Sequence, residues 1–176
     1  MPKCYMMIGI PGSGKSTYIK NVLQSQSNLI SISTDEYIEK IAKEQNGTYS
    51  SVYDSAINDA NNWFNSELYK IMNSSSDFIW DQTNINIKSR KFKIKQLAKH
   101  NYEIHGIAFE VEKEIILDRL NKRALETGKV IPESIINSMI KSYQKPTLEE
   151  GFHNIIVVDS LGLEISNIKK QPFLKI

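Results

Sequence analysis

Nine consecutive residues, Gly9-Ile10-Pro11-Gly12-Ser13-Gly14-Lys15-Ser16-Thr17, form a complete G-x-x-x-x-G-K-[ST] loop. Glycines permit backbone angles that a Cβ forbids, so N–H groups can crowd around oxygen anions. The Lys15 ammonium would reach the β- and γ-phosphates of a nucleoside triphosphate, and the Ser16 hydroxyl would ligate Mg²⁺. Gly12, Ser13, Gly14 and Thr17 complete the cradle. Two carboxylates have the type that the rest of a phosphoryl transfer needs. Asp35 could take the proton of an attacking hydroxyl, or it could simply cap a helix. Asp81 could hold Mg²⁺ through water, orient the loop, or serve as a turn acid. Arg119 and Arg123 are four apart, so on a helix they share a face, and Lys122 and Lys129 are nearby cations. Such a pair can neutralise charge as a phosphate bond breaks, and the bland alternative is a solvated basic helix.

The elements that must position these groups are legible around them. The apolar run Cys4-Tyr5-Met6-Met7-Ile8 reads as a strand entering the loop, and Thr17 to about Gln24 reads as a helix leaving it. A helix N-terminus there adds free N–H groups and partial positive charge for phosphate. Residues 28–33 read as a second strand, with Ser33 or Thr34 capping a helix that ends near Gln45. Asn46-Gly47 signals a turn. Ser51 to Met72 follows a helical period, 73–76 is a polar loop, and Phe78-Ile79-Trp80 is a buried strand ending at Asp81. Asn84 reads as a turn residue, and Asn86 caps a basic helix to about His100. Further segments read as a strand at 102–109, a helix from Glu112 to about Leu125, and a loop over 127–131. A helix opening on Pro132 follows, then a strand at 155–158 and finally an edge strand and tail. Strands alternating with helices predict an α/β chain with a mostly parallel sheet and helices on both faces. Ligands of such sheets bind at the carboxyl ends of the strands, where the loop, Asp35 and Asp81 all fall.

Composition sets the remaining bounds. The chain has 176 residues, is 40% hydrophobic and 24% charged, and carries a net charge of +2. That length suits one domain spanning residues 1–176, and the near-neutral balance does not demand a polyanionic partner. Cys4 is the single cysteine, so no internal disulfide can form. A reducing cytoplasm fits this best, with Cys4 as a small buried hydrophobe. No apolar stretch is long enough to span a bilayer, and Met1-Pro2-Lys3 opens no signal peptide. The 86–100 helix holds Lys88, Arg90, Lys91, Lys93, Lys95 and Lys99 with no acid. It could grip polynucleotide phosphates or be a solvated face. Tyr37, Trp63, Trp80 and Tyr143 could stack on bases or pack in the core.

Taken together, these residues resemble the 5′-hydroxyl polynucleotide kinases, in particular the kinase domain of the T4-type phage end-healing enzymes. The resemblance covers about the first 150 residues. Asp35, with Tyr37 after it, falls where that family places its general base. Asp81-Gln82-Thr83-Asn84 is similar to the family's D-x-T-N element. Arg119 and Arg123, followed by Val130-Ile131-Pro132, resemble an arginine-bearing lid. Lys145-Pro146-Thr147-Leu148-Glu149-Glu150-Gly151-Phe152 is similar to a P-T-x-x-E-G-F stretch of wider kinase relatives. The resemblance implies a P-loop kinase fold, ATP and Mg²⁺, and transfer to a 5′-OH end of RNA or DNA. It departs at Ile38, where the phage pattern has an arginine that contacts an acceptor phosphate; Lys40 or Lys43 would have to substitute. No D-x-D-x-T phosphatase motif or K-x-D-G ligase motif occurs. A kinase of a small hydroxylated metabolite or nucleotide is the alternative that Ile38 favours. A non-catalytic nucleotide switch is the third, although the N-K-x-D guanine-reading motif is missing.

Overall fold

The structure, a computed structural model, describes residues 1–26 and 29–170. Among these, six strands form one sheet: β1 (Lys3–Ile8), β2 (Ile30–Ile32), β3 (Phe78–Trp80), β4 (Glu103–Phe109), β5 (Asn154–Val158) and β6 (Glu164–Lys169). Their order is β2-β3-β1-β4-β5-β6. The first five are parallel, and β6 pairs antiparallel with β5. The expected fold class, a mostly parallel sheet with helices on both faces, is therefore the one observed. The strand expected from Asn28 begins at Ile30, and Asn28 and the tail beyond Lys170 lie outside the described residues.

Strand composition follows from burial on two faces. Phe78, Ile79 and Trp80 of β3 are all buried, the run expected of an interior parallel strand. On β1, Cys4, Met6 and Ile8 join one core with Phe64, Leu68 and Ile71 of helix α4 (Tyr49–Ser74) and with Ile94 and Leu97 of α5 (Ile87–Ala98). Met7 points the other way, into a second cluster with Tyr18 and Ile19. These two belong to a helical stretch that starts as α1 (Lys15–Tyr18), loosens into a π turn (Ile19–Leu23) and ends as α2 (Gln24–Gln26). All six residues of β6 are exposed, as an edge strand permits.

The helix boundaries depart from expectation where the cap was inconspicuous. α4 begins at Tyr49, not Ser51, and runs to Ser74, absorbing part of the loop expected at 73–76. Thr48 caps it: its hydroxyl accepts from the Ser51 N–H at 3.2 Å, and the Ser51 hydroxyl accepts from the Thr48 N–H at 3.0 Å. A serine in the place usually held by Glu or Gln gives a weak sequence signal. α3 (Thr34–Glu44) is capped by Ser33, and α5 by Asn86, whose side-chain Oδ1 accepts from Lys88 N and Ser89 N. Two helices follow, α6 (Lys113–Thr127) and α7 (Glu133–Ser142), with Pro132 standing just outside α7 as its cap.

Position along the sheet decides what can meet. β1 lies between β3 and β4, and β3 separates it from β2. The segments leaving β1, β2 and β3 nevertheless exit the same end of the sheet. Gly9 N donates to Thr83 O at 2.9 Å, and Asp81 N donates to Ile32 O at 3.0 Å. Asp35, two strands from the phosphate loop, is thus brought to it across Asp81. Ile38 is fully buried between α3 and α4, packed with Ala42, Val52, Ala56 and Ala60.

Candidate active site

The loop 9–17 is shaped by two glycines in the left-handed region, Gly12 at φ 83° and Gly14 at φ 101°. A Cβ on Gly12 would lie 3.0 Å from Leu120 Cγ and 3.1 Å from the Ile116 carbonyl oxygen, so α6 presses directly on the loop. Lys15 folds back into the loop, with Nζ donating to Gly9 O at 2.9 Å and Ile10 O at 3.1 Å. Burial lowers its pKa to about 8, against the opposing charges of Asp81 and Asp35. Ser13 is buried, and its hydroxyl has no partner among the described residues.

The loop forms one wall of a cavity of about 980 Å³. Gly12, Ser13, Gly14, Lys15, Ser16, Thr17, Asp35, Asp81, Arg119 and Arg123 all line it, so every residue singled out for chemistry meets in one place. Arg119 and Arg123 reach in from α6. Arg119 donates to Gly12 O at 3.3 Å and to Ser160 O at 2.5 Å, bracing the loop against the turn after β5. Arg123 has no such anchor: Nε and Nη2 are buried without a partner among the described residues. A buried guanidinium without an acceptor is costly, and a bound phosphate oxygen would supply one.

Asp35 sits in the first turn of α3 with its side chain half exposed. Its Oδ1 accepts from the Tyr49 hydroxyl at 2.7 Å, and its Oδ2 pairs with Lys129 Nζ at 2.5 Å. Lys129 also reaches Glu39 at 3.0 Å and lies 3.9 Å over the Tyr49 ring. Burial pushes the Asp35 carboxyl up, but the Lys129 charge and hydrogen bond, the Tyr49 hydroxyl and the Lys15 charge outweigh it. Asp35 is therefore held below the usual carboxylate range. Asp81 goes the other way: burial raises it, Asp35 adds to the rise, and Lys15 opposes it. Asp81 oxygens accept no hydrogen bond among the described residues.

Lys129 belongs to the loop between α6 and α7, and that loop is stitched to the start of α4. Ser50 Oγ donates to Gly128 O at 3.0 Å and accepts from Val130 N at 3.1 Å. Gly128, at φ 68°, packs so closely that a Cβ would lie 2.8 Å from Thr48 Cγ2. Sequence reasoning noted Lys129 only as a nearby cation and missed Tyr49 altogether. The two contacts on Asp35 span 14 and 94 residues, distances that no local pattern reports. Lys40 and Lys43, considered as substitutes for an arginine at Ile38, are exposed and line no part of the cavity. Lys122 likewise pairs with Asp118 on the surface.

The element after β3 does more than turn. Asn84 is a left-handed residue, φ 46°, as a turn requires, but its side chain is buried and donates to Met7 O at 2.7 Å. Lys93 Nζ joins Asn84 Oδ1 to Gln82 Oε1 and lies 4.9 Å over the Trp80 ring. Arg90, fully buried, grips Glu150 through Nε and Nη2, both at 2.7 Å, and donates to Asn84 O at 3.0 Å. Two cations of the basic helix are thus internal struts and cannot grip a polynucleotide. Of the four aromatic candidates for stacking, Trp80 is core, Tyr37 and Trp63 pair with each other at 5.6 Å, and Tyr143 packs on the core. The rings that line the cavity are Tyr18 and Phe109, and its remaining wall is the 159–162 turn, which sequence reasoning overlooked.

No group of three or more His, Cys, Asp or Glu side chains among the described residues could hold a metal ion alone. The oxygen donors present, Ser16 and Asp81, fit a hard divalent cation that keeps several waters and takes further ligands from a phosphate.

The fold and this cavity define a P-loop kinase-like domain. The chain belongs to the AAA_33 family, an AAA domain, which matches residues 5–146. It is 25% identical over 151 residues to the bifunctional polynucleotide phosphatase/kinase of Schizosaccharomyces pombe, covering 85% of this chain and 32% of that protein. It is 24% identical over 159 residues to transcription factor bHLH140 of Arabidopsis thaliana, covering 86% of this chain and 15% of that protein. The chain thus spans a third or less of these relatives. Among solved structures, that of the PezAT toxin-antitoxin system of Streptococcus pneumoniae superposes with a TM-score of 0.72 at 18% identity, covering 95% of this chain and 71% of that one. A fungal RNA kinase gives 0.57 at 12%, covering 99% and 78%. A gluconokinase from Sinorhizobium meliloti 1021 gives 0.52 at 16%, covering 90% and 83%. At these identities the structures share the fold alone. Among the described residues no helix is long and apolar enough to cross a membrane.

Proposed function

We propose that this chain transfers the γ-phosphate of ATP to the 5′-hydroxyl end of RNA or DNA. One observation carries the reading. Three cations suited to phosphate, Lys15, Arg119 and Arg123, line a single cavity together with an ionised carboxylate, Asp35. The similarity to a polynucleotide phosphatase/kinase supports the choice of acceptor.

The loop N–H groups and Lys15 hold the β- and γ-phosphates, and Lys15 gives up its two carbonyl partners to do so. Ser16, and Asp81 through water, would hold Mg²⁺, which would supply charge neutralisation at the phosphate oxygens. Asp35 aligns the acceptor hydroxyl. As its oxygen bonds to the γ-phosphorus, the bond from phosphorus to the bridging β-phosphate oxygen breaks and ADP leaves. The hydroxyl proton passes to Asp35. Arg123, with donors already waiting, and Arg119 neutralise the charge that spreads over the transferring group.

A second reading is favoured by Ile38. Its burial removes that position from the acceptor side, and a small hydroxylated metabolite needs no phosphate clamp there. Labelled γ-phosphate offered to 5′-hydroxyl oligoribonucleotides, oligodeoxynucleotides, 3′-nucleoside monophosphates, nucleosides and sugars separates the two. Labelled oligomers support the proposal. Labelling of sugars or nucleosides alone replaces it with the metabolite kinase, and no transfer to any acceptor leaves the nucleotide switch.

Lys129 gives this mechanism a pH signature. Asp35 works only when ionised, so activity is lost as pH falls through its folded pKa. Lys129 keeps that pKa low. A Lys129→Met variant is expected to move the acid limb of kcat/KM toward neutral pH. An acid limb that stays in place would show that Asp35 is not the titrating base.

A further inference from the structure

α5 carries its cations in two sets. Arg90 and Lys93 face inward, as described above. Lys88, Lys91, Lys95 and Lys99 are exposed, and their side chains form no ion pair or hydrogen bond among the described residues. Three helical lysines elsewhere pair with acids one turn away, in Lys40–Glu44, Glu67–Lys70 and Asp118–Lys122. α5 has no acid in its 12 residues. Its positive charge is therefore unscreened by its own helix.

Phe92 stands in the middle of this charge and is 64% exposed. Residues 88, 92, 95 and 99 recur at helical spacing, so Phe92 shares one stripe with Lys88, Lys95 and Lys99. At 1.5 Å per residue the stripe runs about 16 Å. It borders the cavity: Asn86, Ser89 and Lys93 line the cavity wall, and Ser89 lies next to Lys88 and one turn before Phe92. A plain solvated helix face needs neither an exposed ring nor the exclusion of every acid. A strand of alternating phosphates and bases matches both.

We propose that the Lys88–Phe92–Lys95–Lys99 stripe is the track for a single-stranded polynucleotide, with one base stacked on Phe92 and neighbouring phosphates on the lysines. The proposal rests on the 5′-end kinase reading. It places the nucleotides 3′ of the accepting end outside the cavity, along α5, and makes oligomer length a determinant of affinity.

The test compares 5′-hydroxyl single strands of one to eight nucleotides, the shortest being a 3′-nucleoside monophosphate. In the wild-type protein KM should fall with length. Phe92→Ala should raise the octamer KM about tenfold, the effect of losing one stacked base. Lys88→Glu with Lys95→Glu should raise it further and flatten its salt dependence. Both variants should leave kcat and KM for the mononucleotide unchanged. Equal effects on mononucleotide and octamer, or no effect on either, would overturn the track. Fluorescence anisotropy of a labelled octamer, without ATP, separates this failure from failure of the kinase reading. Binding lost in the charge-reversed variant supports the track even where no phosphate is transferred. Binding that is absent from the wild type, or unchanged by the variants, removes it.

Discussion

An Asp35→Asn variant is expected to lose about 10²- to 10⁴-fold in kcat, the range for removal of a positioned general base, with ATP affinity kept within a few-fold. Asparagine preserves the shape and the acceptor that Tyr49 uses, but it cannot take a proton. The nucleotide contacts proposed above are the loop and Arg123, which share the cavity with Asp35 but form no hydrogen bond to it. The separation of the two effects is what matters. Steady-state kinetics with an oligonucleotide acceptor would give the first, and equilibrium binding of a non-hydrolysable ATP analogue the second. If ATP binding fell with activity, Asp35 would be a structural cap whose loss unsettles α3. If neither changed, the base would have to be sought elsewhere.

The second large effect falls on stability. Arg90 and Glu150 are 0% and 2% exposed at their side chains and are joined by two hydrogen bonds. An Arg90→Met variant leaves a carboxylate in the core without its partner, which destabilises by about 3–5 kcal/mol. Urea unfolding monitored by circular dichroism would show it as a shifted midpoint. The paired change, Arg90→Met with Glu150→Leu, should recover much of the loss, because the isolated charge is gone. Loss of function should accompany the single variant even well below its midpoint. Arg90 holds the Asn84 carbonyl, and Asn84 holds the Met7 carbonyl at the end of β1. If Arg90→Met unfolded like the wild type, the pair would be neutral and this strut unimportant.

What could be read from the chain was whatever repeats or clusters locally. The phosphate loop, its strand and its helix are contiguous, and Arg119 and Arg123 sit one turn apart. The alternation of strands and helices carried the sheet class, and strand ends carried Asp35 and Asp81 to the cavity. Pairings between distant segments were not legible. Lys129 and Tyr49 reach Asp35 from two other elements, and nothing local marks Arg90 off from the other cations of its helix, because its partner Glu150 is 60 residues away. For Asn84 a local pattern can express only the turn that its φ serves; the carbonyl it holds belongs to β1. Against the family pattern Ile38 is a missing contact, whereas the packing of α3 on α4 turns that position into the core.

The position of Lys15 ties nucleotide binding to the acidity of the medium. Near pH 8 roughly half of these lysines are neutral, because burial has lowered the pKa to about that value. Phosphate oxygens favour the charged ammonium, so occupancy of the loop draws a proton from solution. The apparent binding enthalpy near pH 8 should therefore change with the heat of ionisation of the buffer. Well below that pH the lysine is already charged, and the dependence should vanish. Each nucleotide bound at mildly alkaline pH is then also a fraction of a proton bound, and the affinity weakens as the supply of protons falls.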